Sequence, residues 1–367
     1  MEKLMQNKKY LSVYACKDEE AIRFKKPTPD IRTDFFRDID KIIYSLSYIR
    51  YIDKTQVFSY KDNDHISKRM IHVQMVSRVA RTIGRALNLN EDLIEAAALG
   101  HDLGHVPFGH VGERILSDIS IKNGEGYFNH NVQSARLLMY VEHDGEGSNL
   151  CLQTLDAIMC HNGEMEASLY EPKPKTKEEF LEEYEGTYYD NKVSKSLRPM
   201  TLEGCVVRIS DIIAYIGRDI EDACILGLLN KKDIPSDITD VLGYTNSSII
   251  ETIVKDIIEN SMDKPYIKMT DKVFNALTKL KKFNYEHIYS KANTKEDIDN
   301  YTKMFNELFD KLLYQIENNI DSNINNVFLK NMSKEYMNNT SNKRKVIDYI
   351  AGMTDDYFIN EYNLYCK

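Results

Sequence analysis

Apolar residues recur along this chain at three- and four-residue spacings, the period of helices half buried against a core. From Phe35 to Ile52 the positions Ile39, Ile42, Ile43, Leu46 and Ile49 keep that spacing and predict one helix. From Met70 to Leu87 the period runs through Ile71, Val73, Val76, Val79, Ile83, Ala86 and Leu87. Asn90 is a strong cap for the next helix, Glu91 and Asp92 suit its first turn, and Ala96, Ala97 and Ala98 let another helix approach closely. Gly104 and Pro107 stop it, which leaves His101 and Asp102 on the last turn, at the edge of a cleft. Gly112 to Leu116 begins a short helix, and Gly124 and Gly126 mark a loop. Phe128-Asn129-His130-Asn131 then opens a helix through Val132, Ala135, Leu137 and Leu138. A further helix from Leu150 to His161 stops at Asn162-Gly163.

The stretch from 164 to 200 is charged, Tyr-rich and broken by prolines, and reads as a lid or insertion, or as a solvated linker. Leu202 to Cys224 is again helical, with Val206, Val207, Ile209, Ile212, Ile213 and Ile216 on the buried side. Asp211, Tyr215 and Asp219 lie at i, i+4 and i+8, all on one face of it. Beyond 231 the chain is helical and rich in Asn, Lys and Asp. Met304 to Ile316 is strongly amphipathic, and Val346 to Asp355 reads as a buried helix entering a tight polar turn. Strand patterns are scarce, so the expected class is all-α. Residues 1–34, with Pro27 and Pro29, form an N-terminal arm. A core spans 35–230, and a helical C-terminal region, 231–367, packs on it.

Length and charge narrow the picture. A chain of 367 residues makes one large or two ordinary domains. A net charge of -9 argues against a surface built for nucleic acid or anionic membrane, while leaving room for a local basic pocket. No apolar run reaches the roughly 20 residues that span a bilayer. The opening MEKLMQNKKY lacks the apolar core of a signal peptide. The six cysteines show no metal-like spacing and read as free thiols in a reducing compartment, which points to the cytoplasm.

The chemistry concentrates between Arg69 and His130. Four of the nine histidines (His72, His101, His105, His110) fall in this window, and the pair His101-Asp102 joins two good ligands for a borderline divalent metal. Acids repeated along one helix face repel unless a cation or polar ligand lies among them, which makes Asp211 the candidate for a remaining ligand. His110 and Glu113, three apart, let a carboxylate orient an imidazole. The plain alternative is a satisfied polar cluster at a helix junction. His161, at a helix C-terminus, reads as structural.

These residues resemble a known family. His72, His101-Asp102 and Asp211 look like the H…HD…D signature of the HD-domain metal-dependent phosphohydrolases. KTQVF at 54–58, RMIH at 69–72, GHDLGHVPFGHVGE at 100–113, FNHNVQS at 128–134, DIIAYIGRDIEDA at 211–223 and DYIAGMTDDY at 348–357 resemble, in order, the deoxynucleoside triphosphate triphosphohydrolases. That group includes the bacterial dGTPases and the vertebrate enzyme that joins a SAM domain to an HD domain. The family often has Pro where Val106 stands and a double Arg where Arg50-Tyr51 stands; neither departure touches a proposed ligand. The resemblance implies one divalent metal ion (Mn²⁺, Mg²⁺ or another such as Fe²⁺ or Co²⁺) held by His72, His101, Asp102 and Asp211. It implies catalytic roles for His110, Glu113 and His130 at the α-phosphorus, with His110 either activating water or protonating the 5′-oxygen. Arg69 is expected at the phosphate oxygens, His105 as a neighbouring active-site histidine that helps to bind the substrate, and Gln56, Tyr215 and Asp219 around the deoxyribose. The implied reaction releases a deoxynucleoside and inorganic triphosphate, with dGTP favoured by analogy. Kinship further suggests a homo-oligomer and binding of single-stranded DNA or an allosteric nucleotide. The alternatives are an HD-type 5′-nucleotidase or phosphodiesterase, and a catalytically idle nucleotide sensor.

Overall fold

The computed structural model describes residues 11–58, 65–161 and 167–367. With 67% helix and 2% strand, the all-α expectation holds. Helices α1 (Asp34–Ile43) and α2 (Leu46–Ile49) lead into α3 (Arg69–Ala86) and α4 (Glu91–Gly100). Then come α5 (Gly109–Lys122), α6 (His130–Arg136), a short α7 (Glu142–Gly145) and α8 (Leu152–Met159). The charged stretch supplies α9 (Lys177–Tyr189) and α10 (Asn191–Ser196), and α11 (Leu202–Ile225) follows. The remainder comprises α12 (Ser236–Leu242), α13 (Asn246–Ser261), α14 (Asp271–His287), α15 (Lys295–Glu317), α16 (Lys334–Asn339), α17 (Asn342–Ala351) and α18 (Asp355–Cys366).

Helix α4 is the axis of the core, touching α1, α3, α8 and α11. Its small residues make this possible: Ala96, Ala97 and Ala98 are fully buried. At Gly100 a Cβ would come within 2.7 Å of Ile158 and 3.1 Å of Ile42, so three helices meet there only because no side chain stands in the way. Asn90 caps α4 as expected, accepting from the amides of Asp92 and Leu93. Helix α3 buries Val73, Val76, Ala80 and Ile83 against this axis. All six cysteines are free. Among the described residues no helix is long and apolar enough to cross a membrane.

Three local expectations change. The single helix over Phe35–Ile52 is broken at Tyr44, where Ser45 caps the separate α2 by accepting from the Tyr48 amide. Leu46, Ile49 and Ile52 are 69%, 55% and 51% exposed, so the apolar period past Ile43 marks surface rather than core. The helix from Leu150 ends at Met159; the Asn162-Gly163 stop lies outside the described residues, as do residues 1–10 of the arm. The stretch from 164 to 200, where described, carries more order than its charge suggests. Thr176 and Glu179 form a capping box, and Phe180 and Tyr184, one turn apart, are buried. Lys175, itself buried, bonds Asp156 of α8 and Glu183 of α9, each at 2.6 Å. Strand β1 (Leu169–Tyr170) pairs antiparallel with β2 (Ile267–Lys268), tying this stretch to the C-terminal region.

That region backs the histidine-rich window. Helix α15 packs on α5, α17 and α18, and its Tyr301 ring stacks on Phe108 at 4.2 Å. Fully buried Asp348 of α17 takes both arms of the Arg136 guanidinium at 2.8 Å, with Gln133 and Tyr336 each bonding it at 2.9 Å. Lys54, 2% exposed, bonds the carbonyls of His105 and of Ala351, the latter at 3.0 Å.

Candidate active site

Three helices bring the four expected metal ligands together: the start of α3 (His72), the end of α4 (His101-Asp102) and the middle of α11 (Asp211). His72 Nε2 lies 3.0 Å from Asp211 Oδ1 and 3.6 Å from Asp102 Oδ2. His101 Nε2 lies 3.4 Å from Asp102 Oδ1 and 3.8 Å from Asp211 Oδ1. Ligands each about 2.1 Å from a shared ion stand about 3.0–3.4 Å apart, so this set needs little adjustment to hold one. The His101 ring is already oriented as a ligand. Its Nδ1 lies 2.7 Å from the Ala98 carbonyl, which leaves Nε2 facing the acids. That Nε2 is buried and has no hydrogen-bond partner, an orphan that a dication satisfies. Burial pulls the His101 pKa down to about 4, which keeps the imidazole neutral as a ligand must be. Burial opposes ionisation of Asp211, yet the hydrogen bond and charge of His72 hold it down at about 2. In Asp102 burial is likewise outweighed, by His101, His105 and Arg69, and its pKa falls well below the carboxylate range.

Arg69 is buried against Asp102, one of the four expected ligands. Its guanidinium is 2% exposed at the side chain, bonds Asp102 Oδ2 through Nη1, and donates to the Thr55 carbonyl at 3.0 Å. The backbone bridge between Thr55 and Lys68 brings Gln56 alongside it. The side-chain oxygen of Gln56 is buried without a partner.

A second cluster adjoins the first. Glu113 lies between two histidines: its Oε2 is 3.2 Å from His110 Nδ1, and its Oε1 is 2.8 Å from His130 Nδ1 and 2.7 Å from the His130 amide. Burial would raise Glu113, but the charge and hydrogen bonds of His130 and His110 push it well below its usual range. His110 is open, its side chain 75% exposed, while His130 is buried. Desolvation works against the charge of His110, the Glu113 hydrogen bond outweighs it, and the net shift is upward. His105 stacks on His130 at 3.9 Å and points Nε2 at Asp102 Oδ1, 3.3 Å away. The turn into α5 requires left-handed backbone at Phe108 (φ 62°) and Gly109 (φ 56°).

On the opposite side, Tyr215 is half-buried with its ring 6.4 Å from that of His72. Asp219 is buried, and burial raises its carboxyl to about 7. The hydroxyl of Tyr289, from the C-terminal region, donates to Asp219 Oδ2 at 2.8 Å, a contact that sequence reasoning missed.

Sequence reasoning also missed His161. It lies in the centre, with Nε2 3.2 Å from His130 Nε2 and 3.6 Å from Asp102 Oδ1, and its ring stands edge-on to His101 at 4.7 Å. A signal existed. Like His101, it follows the end of an apolar helix, and its Nδ1 takes the carbonyl three residues back, that of Ile158, at 2.6 Å.

Comparison with known proteins shows the family. Residues 69–216 match the HD domain, and residues 267–364 match the phosphohydrolase-associated domain. The chain is 38% identical over 359 residues to a deoxyguanosinetriphosphate triphosphohydrolase-like protein of Caldanaerobacter subterraneus, covering 96% of this chain and 91% of that one. It is 37% identical over 352 residues to a like-named protein of Clostridium perfringens, covering 94% and 91%. For one of Rickettsia prowazekii the identity is 31% over 374 residues, with 92% of each covered.

Proposed function

Because the chain belongs to the family of HD-domain deoxyguanosinetriphosphate triphosphohydrolase-like proteins, we propose that it hydrolyses a deoxynucleoside triphosphate, dGTP foremost, to the deoxynucleoside and inorganic triphosphate. The observation that carries this reading is the convergence of His72, His101, Asp102 and Asp211 around the orphaned His101 Nε2, beside the His110–Glu113–His130 cluster. A divalent ion held by those four residues supplies Lewis acidity to a phosphoryl oxygen and lowers the pKa of a water.

The chain's own groups do the rest. Glu113 fixes the rings of His110 and His130 by accepting from both Nδ1 atoms, which directs each Nε2 outward from the carboxylate. The upward shift of His110 favours a proton held at its exposed Nε2, ready for the departing 5′-oxygen. The buried, unpartnered oxygen of Gln56 and the carboxyl of Asp219 suit a 3′-hydroxyl, and the Tyr215 ring suits exclusion of a 2′-hydroxyl. A site that leaves its polar groups unpaired with the wrong sugar discriminates strongly.

The test is a product assay with dGTP, the other dNTPs and GTP, with Mn²⁺, Mg²⁺, Fe²⁺ or Co²⁺ in turn. Tripolyphosphate and deoxyguanosine are the expected products. Orthophosphate released from dGMP instead would favour a 5′-nucleotidase, and unchanged nucleotide with every metal would refute an enzymatic role.

A further inference from the structure

Asp219 lies on the helix face that carries Asp211 and Tyr215, yet nothing on α11 holds its side chain. The acids nearest along that helix, Asp222 and Asp211, carry the same charge and disfavour it. The hold comes from the C-terminal region instead. The Tyr289 hydroxyl bonds Asp219 Oδ2 at 2.8 Å, and among the described residues no other hydrogen bond reaches that carboxyl. One oxygen is therefore engaged, and Oδ1 is left for a ligand.

The packing around Tyr289 fixes where that hydroxyl falls. Helix α14 lies against α11. From it, fully buried Asn284 donates its side-chain amide to the Ile216 carbonyl at 2.8 Å, which sets the register of the two helices beside Tyr215 and Asp219. The Asn284 carbonyl in turn accepts from the Ile288 amide at 2.8 Å, and Ile288 is itself fully buried. The residue just before Tyr289 is thus pinned by backbone and side chain alike. Tyr289 also falls within residues 267–364, the segment that matches the phosphohydrolase-associated domain.

We propose that Tyr289 is a positioning residue for the sugar: by holding Asp219 Oδ2 it keeps Oδ1 turned toward the 3′-hydroxyl of the substrate. The inference rests on the proposed function, in which Asp219 meets the deoxyribose. An untethered carboxyl rotates freely and is driven away from Asp222 and Asp211, so binding the hydroxyl would first require ordering it. With the tether in place that ordering is done before the substrate arrives. The phosphohydrolase-associated segment, and not the HD domain alone, then sets the preference for a sugar with a 3′-hydroxyl. Because that contact is remote from the α-phosphorus, its loss weakens ground state and transition state together and shows in KM rather than kcat.

Steady-state kinetics of the full chain with Mn²⁺, on dGTP and on 2′,3′-dideoxy-GTP, test this. The analogue has the same base and phosphates and lacks the 3′-hydroxyl. The wild type is expected to prefer dGTP in kcat/KM by about tenfold or more. Tyr289→Phe keeps the ring and deletes only its hydroxyl. It is expected to lower kcat/KM for dGTP about tenfold, mainly through KM, the scale of one hydrogen bond to a charged group, and to leave the analogue within about twofold. Added to Asp219→Ala, it should change dGTP turnover by less than about twofold, since Tyr289 acts through Asp219. The readout is a ratio of two substrates on one preparation, so a partly misfolded sample lowers both alike and cannot imitate the result. Equal losses on both substrates, a full further loss in the Asp219→Ala background, or no preference for dGTP in the wild type would overturn the role of Tyr289 and leave the hydrolysis standing. A wild type that turns over no dNTP would overturn both.

Discussion

Glu203, in the first turn of α11, offers a stability test whose sign is unusual for a carboxylate. It is fully buried, and its Oε1 accepts from the amides of Cys16 and Asn90, each at 3.0 Å. Its Oε2 is buried without a hydrogen-bond partner. Burial lifts the pKa from an ordinary 4.5 to about 7. The folded chain therefore keeps a proton that the unfolded chain has released between these values, so stability falls as pH rises through that window. A shift of that size corresponds to about 3 kcal/mol above the upper value. Glu203→Gln retains an acceptor oxygen for both amides and never ionises. In urea denaturation at pH 4, 6 and 8, the variant is expected to match the wild type at pH 4. At pH 8 it should be more stable by up to about 3 kcal/mol, with the m-value unchanged. The effect reaches the site through Asn90, which caps the helix ending in His101-Asp102, so the α4 amides should also gain exchange protection at pH 8. A difference independent of pH, or a variant less stable than wild type at pH 8, would refute the reasoning.

Four further outcomes are expected. Gly104→Ala puts a methyl 2.3 Å from the His130 carbonyl oxygen and 2.4 Å from the Ser134 amide, both backbone atoms, so thermal melting should report a loss of about 2–3 kcal/mol and weaker Mn²⁺ retention; a loss below about 0.5 kcal/mol would mean that the turn yields. Asp102→Asn should abolish metal retention and turnover while keeping the helical spectrum, and full turnover would refute the ligand assignment. Both substitutions remove the charged partner of buried Arg69 and should melt earlier, Asp102→Ala the more so, at a cost of about 3–5 kcal/mol, because it leaves no oxygen to accept from the guanidinium. Tyr215→Ala should raise the kcat/KM ratio of GTP to dGTP by about tenfold or more, and an unchanged ratio would remove Tyr215 from the sugar pocket.

The helical period made α3, α4 and α11 legible because each buries one face continuously, and the family resemblance supplied what the period could not, the grouping of His72 and His101-Asp102 with Asp211, which the fold brings together. The same period misled at Leu46, Ile49 and Ile52, since spacing reports which residues share a face and not what covers that face. Between 167 and 200 the charge obscured a seat made by a few scattered apolar side chains, Phe180, Tyr184 and Leu197 among them. Arg69 resisted reading for another reason: its length and charge suit phosphate, water or a carboxylate equally, and only the folded arrangement puts it on Asp102. His161 and Tyr289 depend on contacts that cross long stretches of sequence, 31 residues to His130 in one case and 70 to Asp219 in the other, which no local pattern encodes.

The bonds from Asp348 to Arg136 and from Lys54 to the His105 and Ala351 carbonyls have a bearing on modularity. The two segments that match separate families are not exchangeable parts, because the later one supplies anchors for the very turn and helix that present His105 and His130. Grafting the first 266 residues onto a foreign tail would leave Arg136 and Lys54 facing empty positions, and the graft would recover its histidine geometry only if counterparts of Asp348 and the Ala351 carbonyl travelled with it.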